Sequence, residues 1–91
     1  VKRDQIGNTL IMLESAQIRA ARGLLGWRQS DLAERAGVGL ATLRRLEQSP
    51  NGKPVMAQVS TIVRIQECLE KAGIVFLSRG GEGGVGVRFR W

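Results

Sequence analysis

Apolar positions recur at helical spacing along most of the chain and at strand spacing only near its end. In "SAQIRAARGLLGW" (residues 15–27) Ile18, Ala21, Leu24 and Leu25 mark one face of an amphipathic helix. Ser15 reads as its N-cap and Gly26 as its stop. A second helix is expected over Gln29–Ala36, with Leu32 and Ala33 inward and Ser30, Asp31, Glu34 and Arg35 outward. Asp31 in its first turn and Arg35 in its last complement the helix dipole, and Gly37 supplies the left-handed backbone that ends it. A third helix covers roughly residues 40–48, with Leu43 and Leu46 on its core side and Gly39 as N-cap. "SPNGKP" (residues 49–54) holds both prolines and an Asn-Gly pair and reads as a loop. The fourth helix is "MAQVSTIVRIQECLEKAG", whose Ile62, Ile65, Leu69 and Ala72 form a stripe widened by Val59 and Cys68, with Gly73 as its end.

The pattern changes at Ile74. "IVFLS" is a β-branched and aromatic run, "RGGEGG" a flexible turn, and "VGVRFRW" alternates at period two, so two short strands are expected. Three regions follow: an N-terminal extension over 1–14, a helical body over 15–73 and a β appendage over 74–91. The run "TLIML" (residues 9–13) fits either a backward extension of the first helix or another short strand.

Size and composition narrow the function. Ninety-one residues, 43% apolar, make one folded domain. The single cysteine, Cys68, excludes an intrachain disulfide, makes a reducing compartment the default and reads as an ordinary buried small residue. No run reaches the roughly 18 apolar residues of a membrane span, and "TLIML" is too short for a signal-peptide core, so a cytoplasmic location is expected. Fourteen cations, most of them arginine, against eight anions leave a net charge of +6, which suits a phosphate-bearing partner. With no histidine, no tyrosine and no metal-ligand spacing, neither a catalytic residue nor a metal or other cofactor is expected. "GGEGGVG" lacks the Lys-Ser/Thr ending of a nucleotide loop and reads as a hairpin turn.

The second and third helices are separated only by "GVG". So tight a turn needs a small residue where the helices approach, a glycine four positions later, and apolar residues closing the core behind. Ala33, Gly37 and the set Val38, Leu43 and Leu46 meet those needs, which is the helix-turn-helix arrangement.

The run "QIRAARGLLGWRQSDLAERAGVGLATLRRLE" resembles the Xre-type helix-turn-helix regulators, the group of phage repressors and Cro proteins, over about residues 15–72. "GIVFLSRGGEGGVGVRFR" is similar to the ending of a compact subgroup with a glycine-rich turn before a final basic strand. The resemblance implies a mainly α, lambda-repressor-like DNA-binding domain of four to five helices, followed by a C-terminal β-hairpin or dimerisation strands. It also implies that the third helix lies in the major groove with Leu40, Ala41, Thr42, Arg44 and Arg45 as base readers. Since Leu43 and Leu46 point inward, Ala41, Thr42, Arg44 and Arg45 fall on the outward arc, where solvated surface charge is the competing reading of the arginines.

Gln29 matches the position where these regulators place a phosphate-contacting glutamine at the start of the second helix. Arg28 departs from the usual Ser, Thr or Asn cap, weakening the cap while adding a cation beside the expected phosphate. Asn51 and Lys53 fall in the loop that touches the DNA backbone in relatives, and Arg22 and Glu47 match a structural ion pair. One such unit covers about half an operator, so a homodimer through residues 74–91 on a palindrome is expected, against a hairpin folded onto its own helices. The resulting expectation is a dimeric repressor of bacterial, phage or mobile-element origin that binds double-stranded DNA and has no small-molecule ligand. A protein-interaction module (an antitoxin or anti-activator) is the alternative, and an RNA-binding domain is disfavoured by the scarcity of aromatics.

Overall fold

In the computed structural model, which describes residues 13–80 and 83–91, four helices precede a two-stranded antiparallel sheet. The helices are α1 (Ser15–Leu25), α2 (Gln29–Ala36), α3 (Leu40–Glu47) and α4 (Val59–Lys71). The strands are β1 (Ile74–Leu77) and β2 (Gly86–Phe89), paired Ile74 with Phe89 through Leu77 with Gly86. Residues 9–12 of the ambiguous apolar run lie outside the described residues, as do Gly81 and Glu82 of the glycine-rich turn.

One core takes a contribution from each helix and from β1. Ile18 and Ala21 of α1, Leu32, Ala33 and Ala36 of α2, Leu43 and Leu46 of α3, and Ile65 and Leu69 of α4 are buried together. Ile74 and Phe76 of β1 join the same cluster, with Leu13 and Val55 from the flanking segments. Each large aliphatic side chain buried in this way contributes about 1.5–3 kcal/mol relative to exposure.

Two local expectations are corrected. The N-cap of α1 is Glu14, not Ser15. The Glu14 amide donates to Gln17 Oε1 (3.0 Å), while the Ser15 hydroxyl, already inside the helix, donates to the Ser49 carbonyl (2.8 Å). Helix α4 begins at Val59 with Gln58 as N-cap, so residues 56–58 precede it. Val59 therefore sits on the first turn pointing outward, 71% exposed, and Val55 in the preceding loop fills the core instead. Leu13, the one described residue of the run 9–13, precedes α1: the Val55 amide donates to its carbonyl (2.8 Å), and Glu14 pairs with Pro54 in an isolated antiparallel bridge.

The hairpin is folded against its own helices. Gln17, on α1 and almost fully buried, donates its amide nitrogen to the carbonyls of Leu77 (3.1 Å) and Gly86 (3.2 Å), the last pair of the ladder. Beyond β2, the Arg90 amide donates to the Gly73 carbonyl (2.8 Å), and Trp91 stacks on Phe89 with ring centroids 5.1 Å apart. The Trp91 ring lies over Gly73, whose φ of +107° and lack of a Cβ allow both the turn and the close approach.

Candidate nucleic-acid interface

The turn between α2 and α3 has the chemistry its length demands. Gly37 is left-handed (φ +71°), and its amide reaches back to the Ala33 and Glu34 carbonyls. The Val38 amide also donates to the Ala33 carbonyl (3.0 Å), completing a wrapped helix end. Ala33 is buried, Val38 packs on the core, and Gly39 with extended backbone is the N-cap of α3.

Helix α3 is thereby divided lengthwise. Leu43, Leu46 and Glu47 are buried, whereas Ala41, Arg44 and Arg45 are exposed on the opposite side and Thr42 is half-buried. Leu40 departs from the outward set: it is half-buried and packs against the core, because it lies three residues before Leu43 on the inward side. The two arginines differ. Arg45 donates a long side-chain hydrogen bond to the Met56 carbonyl (3.4 Å), while the Arg44 guanidinium has no hydrogen bond or ion pair among the described residues. Gln48, exposed as the C-cap, continues the stripe of Ala41, Arg44 and Arg45 at helical spacing, although it is not among the readers expected from sequence.

Beneath this face lies a polar knot. Arg22 of α1 grips Glu47 through Nε to Oε2 and Nη2 to Oε1, each at 2.7 Å, and Gln29 donates to the same Oε1 (3.0 Å). Arg22 also donates to the Trp27 carbonyl (3.1 Å). The hydrogen bonds that Arg22 donates to Glu47 hold its guanidinium above its ordinary value, against the opposing effect of burial. The Gln29 side chain is thus tied to α3, which leaves the amide end of α2 as its outward feature.

At that end Arg28 is the N-cap, and its own amide donates to Asp31 Oδ2 (2.8 Å). Asp31 therefore restores half of a capping box, and the expected weakening is offset. These hydrogen bonds hold its carboxyl below the ordinary value, the backbone amide of Arg28 acting most strongly. The Arg28 guanidinium stands almost wholly in solvent, 3.4 Å from Asp31.

The loop after α3 is held from behind by residues that no local pattern points to. Arg19 donates to the Glu47 carbonyl and to Asn51 Oδ1 (3.3 Å). Glu14, its side chain 6% exposed, accepts the Gly52 amide (3.1 Å) and both Nε (2.9 Å) and Nη2 (3.0 Å) of Arg79 from the hairpin. Asn51 and Lys53 remain exposed. Away from this side, Arg35 stacks over Trp27 (4.6 Å) at an open cleft where burial pushes the Cys68 thiol up, as suits an inert packing residue.

A family model for helix-turn-helix proteins of the Xre-like type matches residues 18–71, from the first buried isoleucine of α1 to the end of α4. The chain belongs to this family. The matched segment holds α2 and α3 as the helix-turn-helix, with α1 and α4 packed around them. The protein is accordingly a DNA-binding helix-turn-helix regulator, from a family of regulatory domains rather than enzymes. A comparison with curated proteins found no match. No helix among the described residues is long and apolar enough to cross a membrane.

Proposed function

We propose that this helix-turn-helix regulator is a dimeric repressor that reads a palindromic operator in double-stranded DNA by laying α3 in the major groove. The observation that carries the reading is the exposed stripe of Ala41, Arg44 and Arg45 on a helix pinned from behind by Leu43, Leu46 and the Arg22–Glu47 pair. Arg44 is the leading base reader, since its guanidinium is committed to nothing within the described residues. A fork from it to guanine O6 and N7 supplies about 1–3 kcal/mol of discrimination. Arg45 and Thr42 reach adjacent base or phosphate groups, and Ala41 with the exposed part of Leu40 packs on thymine methyls.

Phosphate contacts fall to Arg28 and to the amide end of α2 at Gln29 on one side of the groove, and to Asn51 and Lys53 on the other. Residues 74–91 join two copies, since β1 and β2 each leave one edge unpaired. A two-fold dimer then sets half-sites about one helical turn apart. This reading places the protein with a bacterial or phage chromosome in the cytoplasm.

Selection from a random duplex pool, followed by footprinting, tests the reading. A palindrome protected over two half-sites about ten base pairs apart supports it. Recovery of no sequence, with binding that barely responds to salt, sinks it in favour of a protein-interaction module.

A further inference from the structure

We propose that Arg79 is a positioning residue for DNA binding: through Glu14 it fixes the backbone of the 49–54 loop in the conformation that meets phosphate. The inference rests on the reading above that Asn51 and Lys53 contact the DNA backbone.

Gly52, between those two residues, takes a left-handed backbone (φ +87°), and its amide is bound by Glu14 Oε1. That carboxylate is withdrawn from water, with its side chain only 6% exposed. Its stable counterpart is the forked guanidinium of Arg79, which reaches it from the start of the hairpin turn, 65 residues along the chain. Two donors from Arg79 and one from Gly52 share two oxygens, so the three segments close on one point. Removing Arg79 strands a buried carboxylate, and the easiest relief is for Glu14 to swing into water and release Gly52. The loop keeps its bonds from Ser15 to Ser49 and from Arg19 to Asn51, so the release is local to residues 52–53. The apolar cluster loses no member, because neither Glu14 nor Arg79 belongs to it. The hairpin thereby acts on the loop through Glu14.

Equilibrium binding to the selected duplex, measured across a salt series, tests this with Arg79→Gln, Arg79→Lys, Glu14→Gln and Lys53→Ala. Arg79→Gln is expected to bind roughly three- to tenfold more weakly, with the salt slope reduced by about one phosphate contact. Lys53→Ala should then add little in the Arg79→Gln background, because the same contact is already lost. Arg79→Lys keeps the charge but not the fork, and is expected to bind no better than Arg79→Gln. Glu14→Gln gives an opposite sign for the two accounts: removing an anion strengthens binding if only net charge matters, and weakens it if the carboxylate holds the loop.

Parent-like binding by Arg79→Lys or tighter binding by Glu14→Gln would overturn the proposal in favour of plain charge. Parent-like affinity and slope for Arg79→Gln, alongside a weakened Lys53→Ala, would overturn it while leaving the loop's phosphate contact standing. If Lys53→Ala itself binds like the parent, the reading of the loop falls and takes this inference with it. Full additivity of Arg79→Gln and Lys53→Ala, with an unchanged slope for the former, marks a general loss of stability and counts against it.

Discussion

Glu47 shows how a buried charge is held beneath an exposed helix face. Its carboxylate receives two bonds from Arg22 and one from Gln29, and it sits on the helix whose other side faces out. Arg22→Met leaves that buried charge with a single neutral donor, and is expected to lower unfolding free energy by about 3–5 kcal/mol in urea titrations. Replacing both partners with apolar residues should recover most of the loss, since no charge is then stranded. A single-variant loss below about 1 kcal/mol, the scale of an exposed pair, would contradict the burial argument. The pair spans 25 residues, and spacing alone does not mark it; the family resemblance does. Leu40 lies three residues before Leu43, a spacing that marks the inward side, although the family resemblance assigns it to the base readers.

Asp31 gives a pH-dependent test at the same scale. Its folded-state value lies below the ordinary 3.8, so its stabilising effect is present above that value and is lost as pH falls through the lower, folded one. Asp31→Ala should therefore melt below the parent at neutral pH, with the gap closing in acid below about 3.8. A gap that persists unchanged at low pH would show that the carboxylate's charge has no part in the cap.

Among the elements, the hairpin differs most from its sequence-level picture. Its strands were legible, β1 as a β-branched and aromatic run and β2 from period two, but the surface they meet was not. What binds the hairpin is Gln17 in the first turn of α1, whose polar side chain reads on paper as an outward residue and in the fold caps two strand carbonyls. Shared burial with α1 and α4 implies one cooperative unit. Phe76→Ala should cost about 3–5 kcal/mol and shift a single melting transition. Two separate transitions, or a loss below about 1 kcal/mol, would mean that the hairpin is an independent appendage. Helices α2 and α3 were the most legible elements, because the wrapped end at Gly37 and the inward leucines are both local signals. The start of α4 was not, since Val55 and Val59 sit one helical turn apart in sequence and only the loop's path decides which is buried.

At the scale of the molecule, a net charge of +6 on 91 residues favours any polyanion, and sequence recognition has to be added to that background. In the proposed reading the labour is divided. Arg28 and Lys53, exposed cations flanking the α2–α3 unit in sequence, would grip phosphate, and the exposed side chains of α3 would tell one base pair from another. Lys53→Ala should weaken binding to matched and scrambled duplexes alike and lower the salt slope by about one, as read from anisotropy titrations at several ionic strengths. A loss confined to the matched duplex would move Lys53 into the base-reading set.

The most direct measurement concerns Arg44. Competition binding of parent and Arg44→Ala is run against the selected duplex and against versions with each G·C pair exchanged for A·T. The parent should lose about 1–3 kcal/mol at one pair in each half-site, and Arg44→Ala should be indifferent to that exchange while keeping its preferences elsewhere. If Arg44→Ala discriminates among the duplexes as the parent does at every position, its arginine does not read bases and α3 does not lie in the groove as proposed.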